Sequence, residues 1–284
     1  MNKLQSGITR FSLNNALVCA EVSKLAYASQ DIIRKELLNK TNYSDFSYFD
    51  QHETQAFMCA DEKAVLIAFR GTESTTDWQT DLNAGLVPYR YGKVHRGFKD
   101  SFELCKGWML ENLEKIDDGE KSVWVTGHSL GGALSVLAVD CLIDEGYDIS
   151  GLYTFGQPRV GNARFAKHFD AHFKSRSFRF VNDEDIVTRV PPRSMGYRHI
   201  GEVRYFDQDG HLRHGVSWWR KFLNKSVSVS NRTRARFEDL QGQYPGWVKD
   251  HSMNYYIKHV KRAYLELKKT QNPASISFKD YINS

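Results

Sequence analysis

The chain has 284 residues, of which 41% are hydrophobic and 26% charged, a composition typical of a globular domain and not of a disordered or fibrous protein. The formal net charge of +5 is small, and no nucleic-acid-binding motif accompanies the basic residues, so we expect no nucleic-acid partner. The four cysteines are widely spaced and form no CxxC pair, which predicts buried free thiols instead of a zinc site or a disulfide framework.

The N-terminal residues lack the unbroken apolar core of a secretory signal. No apolar run reaches the roughly 20 residues that a transmembrane helix needs, so we expect no transmembrane segment. On these grounds the sequence predicts a cytoplasmic protein, or one exported by a route that uses no cleaved signal.

Segments with helical spacing alternate with short apolar runs that have the character of buried strands. The helical segments lie near 13–28, 101–116, 133–142, 162–173 and 251–267. The predicted strands are 64–69, which is a continuous apolar run, and 122–126, 152–156 and 178–182. Residues 198–206 alternate in polarity, which indicates an added antiparallel strand or hairpin. This order predicts an α/β fold with a mostly parallel central sheet and helices on both faces. No linker or repeat is evident, so we expect 1–284 to form a single domain.

A glycine-flanked serine directly follows the second apolar run and precedes a helix of small apolar residues. The segment Gly127-His128-Ser129-Leu130-Gly131 matches the nucleophile-elbow pattern, in which a strained strand-to-helix turn raises the serine hydroxyl above the sheet. This context predicts that Ser129 is a catalytic nucleophile.

A serine hydroxyl needs a base to take its proton and a carboxylate to orient that base. In folds of this class the acid follows the serine in the chain, and the histidine follows the acid. Asp183 and Asp185 both come after the strand that ends near 182, and both qualify. Five downstream histidines are candidates for the base, and position alone does not choose among them: His199, His211, His214, His251 and His259.

Attack by such a serine also needs hydrogen-bond donors aimed at the oxyanion that develops. The amide of Leu130, directly after the serine, is one candidate. The loop Arg70-Gly71-Thr72, directly after the first buried strand, is placed to supply the other.

Taken in order, these segments resemble the class 3 lipases, the family of fungal triacylglycerol lipases, feruloyl esterases and many plant and bacterial relatives. The resemblance covers roughly residues 15–260. The matching segments are 69–72, 94–98, 125–134, 153–162, 180–187 and 250–253.

The resemblance implies an α/β-hydrolase fold and a serine hydrolase with an acyl-enzyme intermediate. It assigns Ser129 as nucleophile, Asp185 as acid and His251 as base. Asp183 is then expected to be an exposed neighbour of the acid. His128 is expected to serve only in packing, and no metal or other cofactor is required.

In relatives the residue at the position of Thr72 donates both its amide and its hydroxyl to the oxyanion, and an aspartate nine residues on orients that hydroxyl. Asp81 stands at that spacing here. The resemblance therefore implies that Thr72 and Leu130 form the oxyanion hole, with Asp81 in support.

The segment 73–91 occupies the position of the lid, a helix that in lipases covers the site and opens at a lipid surface. Trp78, Leu82 and Leu86 recur at four-residue spacing and predict an apolar helix face, while the other residues of the segment are mainly polar. A lid at this position implies transient contact with a lipid surface. Because most of its residues are polar, the sequence leaves open whether the protein shows interfacial activation.

The resemblance favours a triacylglycerol-type lipase acting on a lipid or small ester substrate. A phospholipase A1 and a carboxylesterase or feruloyl esterase share the same catalytic parts and stay as alternatives. A non-catalytic binding protein on a hydrolase fold is a more remote alternative, expected to lack a triad member.

Overall fold

The computed structural model describes residues 1–40, 42–72, 85–117, 119–213 and 247–271. The helices are α1 (Leu13–Leu25), α2 (Gln30–Lys40), α3 (Arg96–Ile116), α4 (Leu130–Asp144), α5 (Ala163–Phe173), α6 (Trp247–His251) and α7 (Met253–Gln271). The strands are β1 (Asp45–Gln51), β2 (Thr54–Ala60), β3 (Ala64–Phe69), β4 (Leu86–Tyr89), β5 (Gly92–His95), β6 (Ser122–His128), β7 (Ile149–Phe155), β8 (Gly161–Asn162), β9 (Ser177–Asn182), β10 (Tyr197–Arg198), β11 (Glu202–Phe206) and β12 (Leu212–Arg213).

An eight-stranded central sheet has the order β1-β2-β3-β6-β7-β9-β11-β12. The five strands from β3 to β11 run parallel, and antiparallel strands extend the sheet at both edges. The predicted parallel sheet is confirmed. Of the two alternatives predicted for residues 198–206, an added antiparallel strand or a hairpin, the structure shows the hairpin: β11 pairs antiparallel with β12. On its other side β11 pairs parallel to β9.

Helices cover both faces of the sheet, as predicted. On one face, α3, α4 and α5 pack over a core that includes Phe102, Leu137 and Phe169. On the other face, α1, α2 and α7 pack over a second core, which contains Trp124 and Tyr256. In α3 the buried residues recur every three or four positions, so one stripe of the helix faces the sheet.

A small second sheet, in the order β10-β8-β5-β4, lies beside the helices. Leu86 pairs with His95 across β4 and β5, in extended backbone. The predicted apolar helix face therefore does not continue to Leu86, which belongs to a strand. Residues 73–84, with Trp78 and Asp81, lie outside the described part of the chain.

The four cysteines are buried free thiols, as the sequence predicts, and form no disulfide bond. Burial raises the pKa of the Cys105 thiol to about 12, so this thiol stays protonated and behaves as a small apolar group. None of the described helices combines the length and the apolar character needed to cross a bilayer.

Candidate active site

Ser129 lies in a strained turn between β6 and α4. Its φ of 57° and ψ of −126° fall where non-glycine residues are rare, and its amide donates to the carbonyl of Phe155 at 2.9 Å. The close packing of this turn explains its glycines. A Cβ on Gly127 would stand 2.3 Å from the Gly131 carbonyl oxygen, and one on Gly131 would stand 2.1 Å from the carbonyl oxygen of Phe69.

Ser129, His251 and Asp185 form one chain of hydrogen bonds. The Ser129 Oγ lies 3.0 Å from His251 Nε2, and His251 Nδ1 lies 3.0 Å from Asp185 Oδ1 and 3.1 Å from Oδ2. A carboxylate accepts hydrogen bonds, so Nδ1 carries the imidazole proton and Nε2 offers its lone pair to the serine hydroxyl. Ser129 and Asp185 are fully buried, and His251 is 5% exposed. This arrangement can take a proton from the serine and hold the resulting imidazolium.

Further hydrogen bonds hold the Asp185 carboxylate. Its Oδ1 accepts from the Val187 amide at 3.0 Å, and its Oδ2 accepts from the hydroxyl of Tyr256 at 2.5 Å. Burial and the nearby carboxylate raise the pKa of Tyr256 well above its ordinary value, so its hydroxyl stays protonated and donates. The Asn182 amide donates in turn to the Tyr256 oxygen at 3.2 Å. These donors fix the carboxylate that faces His251.

The segments that carry the acid and the histidine are joined by two more hydrogen bonds. The Asn182 side-chain amide donates to the Asp250 carbonyl at 2.6 Å, and the Glu184 amide donates to the Asp250 carboxylate at 2.9 Å. The residues that make these bonds are close neighbours of Asp185 and His251 in the sequence. The bonds therefore limit how far the acid segment and the histidine segment can move apart.

Two residues of the site were not picked out from the sequence. Gly156 has a φ of +59°, and a Cβ there would stand 2.9 Å from Asp185 Oδ2 and from the Nδ1 of His251. A glycine directly after a buried strand is a signal for close approach of another group, and it was available in the sequence. Tyr256 lies on α7, and no local pattern distinguishes it from a core tyrosine.

The loop after β3 lies against the elbow. A Cβ on Gly71 would stand 2.5 Å from the His128 carbonyl oxygen and 3.1 Å from the Ser129 Cβ. The next residue is Thr72, whose Oγ1 is buried and has no hydrogen-bond partner among the described residues. Leu130 is the first residue of α4, and the first amides of a helix have no intrahelical acceptor. Within the described part of the chain, both predicted donors therefore remain available to a ligand.

Asp183 is not the exposed neighbour that was expected. It is 5% exposed, and its carboxylate accepts a hydrogen bond from the Tyr205 hydroxyl on β11. The expectation is wrong because β11 adds to the sheet beside β9 and covers this side chain.

Of the five candidate histidines, the structure brings His251 to the serine. The two ring nitrogens of His199 are buried, and burial together with the neighbouring Arg179 lowers its pKa well below the ordinary value. His211 accepts from Arg262, and His259 donates to the side chain of Asn182. His214 lies outside the described residues.

His128 does more than fill space in the core, contrary to the expectation. Its Nε2 lies 2.7 Å from the His251 carbonyl oxygen, and its Nδ1 lies 2.7 Å from the Tyr27 hydroxyl.

One group among the described residues brings potential metal ligands within 4.8 Å of one another, namely Asp207, Asp209 and His211. Arg213 Nε donates to the Asp207 carboxylate at 2.6 Å, and a guanidinium nitrogen of Arg262 donates to His211 Nε2 at 2.9 Å. Asp207 and His211 each accept from a guanidinium, so the group is an ion-paired turn between β11 and β12.

Comparison with known proteins places this site in a family. The sequence profile described as Lipase (class 3) matches residues 66–195, which contain Thr72, Ser129 and Asp185. The secreted mono- and diacylglycerol lipase A of Penicillium cyclopium is 32% identical over 186 residues, or 62% of this chain and 60% of that protein. The chain belongs to the class 3 lipase family.

This class 3 lipase also resembles a solved structure described as a triacylglycerol lipase with a serine-protease triad at its catalytic centre. The TM-score is 0.60 at 29% identity, over 68% of this chain and 80% of the other. The α/β-hydrolase fold predicted from the sequence is thereby confirmed.

A plant protein, phospholipase A1-II 1 of Oryza sativa subsp. indica, is 31% identical over 170 residues. That alignment covers 50% of this chain and 43% of the rice protein, so the class 3 lipase spans less than two thirds of either curated relative. The name of the Penicillium relative describes a secreted protein, which leaves the predicted cytoplasmic location without support.

Proposed function

We propose that this class 3 lipase hydrolyses carboxylic esters of lipids, with Ser129 as nucleophile, His251 as general base and Asp185 as the acid that orients it. The observation that carries the proposal is the buried hydrogen-bond chain through these three side chains, which starts at a strained elbow.

In the proposed reaction the Ser129 Oγ attacks the ester carbonyl carbon while His251 Nε2 takes the hydroxyl proton. The carbonyl oxygen becomes an oxyanion, which accepts from the Leu130 amide and from Thr72. When the intermediate collapses, the bond to the leaving alkoxide breaks and His251 returns the proton to it, leaving an acyl-enzyme. Water activated by the same nitrogen then releases the acid and restores the serine.

The proposed substrate is an acylglycerol, met at a lipid surface. Its support comes from two similar proteins, one described as a mono- and diacylglycerol lipase and the other as a triacylglycerol lipase. A phospholipase A1 activity is the second candidate, favoured by the rice relative of that description. Carboxylesterase or feruloyl esterase activity would use the same catalytic groups.

The proposal includes a single domain over 1–284 with a lid near 73–91. Its support is the packing of both ends of the described chain on one sheet, since α1 and α7 share one core. Limited proteolysis that released a stable fragment with its own cooperative unfolding would argue against it.

We extend the proposal to export, supported by the secreted relative. Fractionation of the natural host would test this, with hydrolase activity expected outside the cell.

The test is hydrolysis of a chain-length series of nitrophenyl esters, with triolein and phosphatidylcholine emulsions beside it. The wild type should be active, and Ser129→Ala and Asp185→Asn should lose activity at equal folded concentration. Asp183→Asn is the matched control, because this nearby buried carboxylate bonds to Tyr205 and not to His251. Preference for triolein or phosphatidylcholine separates the two candidate activities. An inactive wild type, or equal activity in Ser129→Ala, would contradict the proposal.

A further inference from the structure

The two hydrogen bonds of His128 define its protonation state. The His251 carbonyl oxygen accepts, so His128 Nε2 carries a proton and donates it across 2.7 Å. The Nδ1 lone pair then accepts from the Tyr27 hydroxyl, also at 2.7 Å. Burial and the neighbouring His251 both lower the pKa of His128 well below its ordinary value, which agrees with a neutral ring.

The bond to His251 is made at the end of a helix. His251 is the last residue of α6, and the carbonyls of a final helical turn have no intrahelical donor. His128 supplies that donor from within the elbow, and the two imidazole rings lie 4.5 Å apart. The same residue thus precedes the nucleophile in the chain and holds the backbone that carries the base.

Tyr27 extends this contact to the loop after β3. Its hydroxyl would stand 2.3 Å from a Cβ on Gly71, the residue before Thr72. Tyr27 comes shortly after α1, a helix that packs on the same face of the sheet as α7. Side-chain hydrogen bonds of Tyr27 and His128 therefore join the end of α1 to the elbow and the histidine segment, and Tyr27 lies against the oxyanion loop.

We propose that His128 and Tyr27 are positioning residues. They hold the backbone of His251 so that its Nε2 stays within reach of Ser129, and they add no charge beside it. The inference rests on the proposed function, in which His251 becomes an imidazolium in each half-reaction. A second positive ring 4.5 Å away would oppose that step, and a neutral ring with a fixed tautomer does not.

Two amide substitutions separate the roles of the His128 nitrogens. The side-chain amide of Gln stands near the position of imidazole Nε2, so His128→Gln keeps a donor for the His251 carbonyl. The shorter side chain of Asn matches Nδ1, so His128→Asn keeps a partner for Tyr27 and loses the donor to His251. If His128 only filled space in the core, His128→Gln and His128→Asn would lower kcat equally.

The experiment compares kcat and KM of the full chain and its variants on one nitrophenyl ester, with thermal unfolding to quantify folded protein. Displacements of about 1 Å in an active site cost on the order of 10²-fold in rate, so His128→Asn should lower kcat by about 10- to 100-fold with little change in KM. His128→Gln should recover most of this loss. Tyr27→Phe, which removes the donor to Nδ1, should fall between them. Wild-type kcat in folded His128→Asn, or equal losses in Asn and Gln, would overturn the inference.

Crystal structures of the wild type and His128→Asn give a readout that needs no turnover. The distance from Ser129 Oγ to His251 Nε2, 3.0 Å in the wild type, should lengthen in the variant. An unchanged distance would overturn the positioning role. If the wild type hydrolyses no ester but the distance lengthens, the proposed function fails and the positioning role stands.

Discussion

Replacing Gly156 by alanine places one methyl group between the acid and the base. The new Cβ would stand 2.9 Å from Asp185 Oδ2 and from both Nδ1 and Cε1 of His251, well inside ordinary contact. The residue also has a φ of +59°, where an L side chain costs roughly 1–2 kcal/mol. The His251 ring must move to relieve the contact, and a displacement of about 1 Å costs on the order of 10²-fold in turnover.

Gly146→Ala separates the backbone strain from the contact with the site. Gly146 has a φ of +91°, and a Cβ there would have no atom within 4 Å. Gly146→Ala should lose about 1–2 kcal/mol of stability in urea unfolding, because it places a Cβ in left-handed backbone, and Gly156→Ala should lose at least as much, because its Cβ also contacts Asp185 and His251. Only Gly156→Ala should lose kcat on a nitrophenyl ester, measured at equal folded concentration. A folded Gly156→Ala enzyme with the kcat of the wild type would refute the reasoning.

Three further predictions follow from individual contacts. Tyr256→Phe removes a hydrogen bond to the Asp185 carboxylate, a type worth about 1.5–3 kcal/mol, so kcat should fall by about 10- to 100-fold; an unchanged kcat would argue against this support. Thr72→Ala should lower kcat by about 10²–10³-fold while Thr72→Ser keeps most of the activity, and equal rates in Ala and Ser would remove the hydroxyl from the oxyanion hole. Burial raises the pKa of Asp140 from 3.8 to about 6. Between these two pH values the folded state binds more protons than the unfolded state, so the folded state loses stability as the pH rises through this range. Asp140→Asn should therefore gain stability of about 3 kcal/mol at pH 8, with the gain disappearing below about pH 4 in urea unfolding, and no gain at pH 8 would refute this assignment.

The parallel centre of the sheet could be predicted because its strands are buried on both faces. Residues 64–69 are a continuous apolar run and 122–126 have an apolar centre, and they form β3 and most of β6. The elbow could be located for the same reason, since its glycines and serine directly follow β6.

The β1–β2 hairpin gave no comparable signal. Its two-residue turn has His52 and Glu53 at φ of 45° and 63°, where Asn and Gly usually stand. β1 is an edge strand with mixed polar and apolar residues, so it shows neither a continuous apolar run nor a clean alternation.

The acid and the histidine depended on contacts between distant parts of the chain. Spacing left Asp183 and Asp185 equivalent, and the difference between them arises from Tyr205 on one side and Tyr256 on the other. The sequence predicts only packing for His128, because its hydrogen-bond partners lie about a hundred residues before and after it in the chain.

The central claim is that His251 activates Ser129 for attack on an acyl group. Its most direct test is covalent labelling with a nitrophenyl phosphonate, followed by mass spectrometry of the digested protein. We expect one phosphonyl group per folded wild-type molecule, on Ser129, with release of one nitrophenolate. Labelling should be absent in Ser129→Ala and strongly slowed in His251→Ala. A wild type that takes up no label, or one labelled at another residue, would contradict the account.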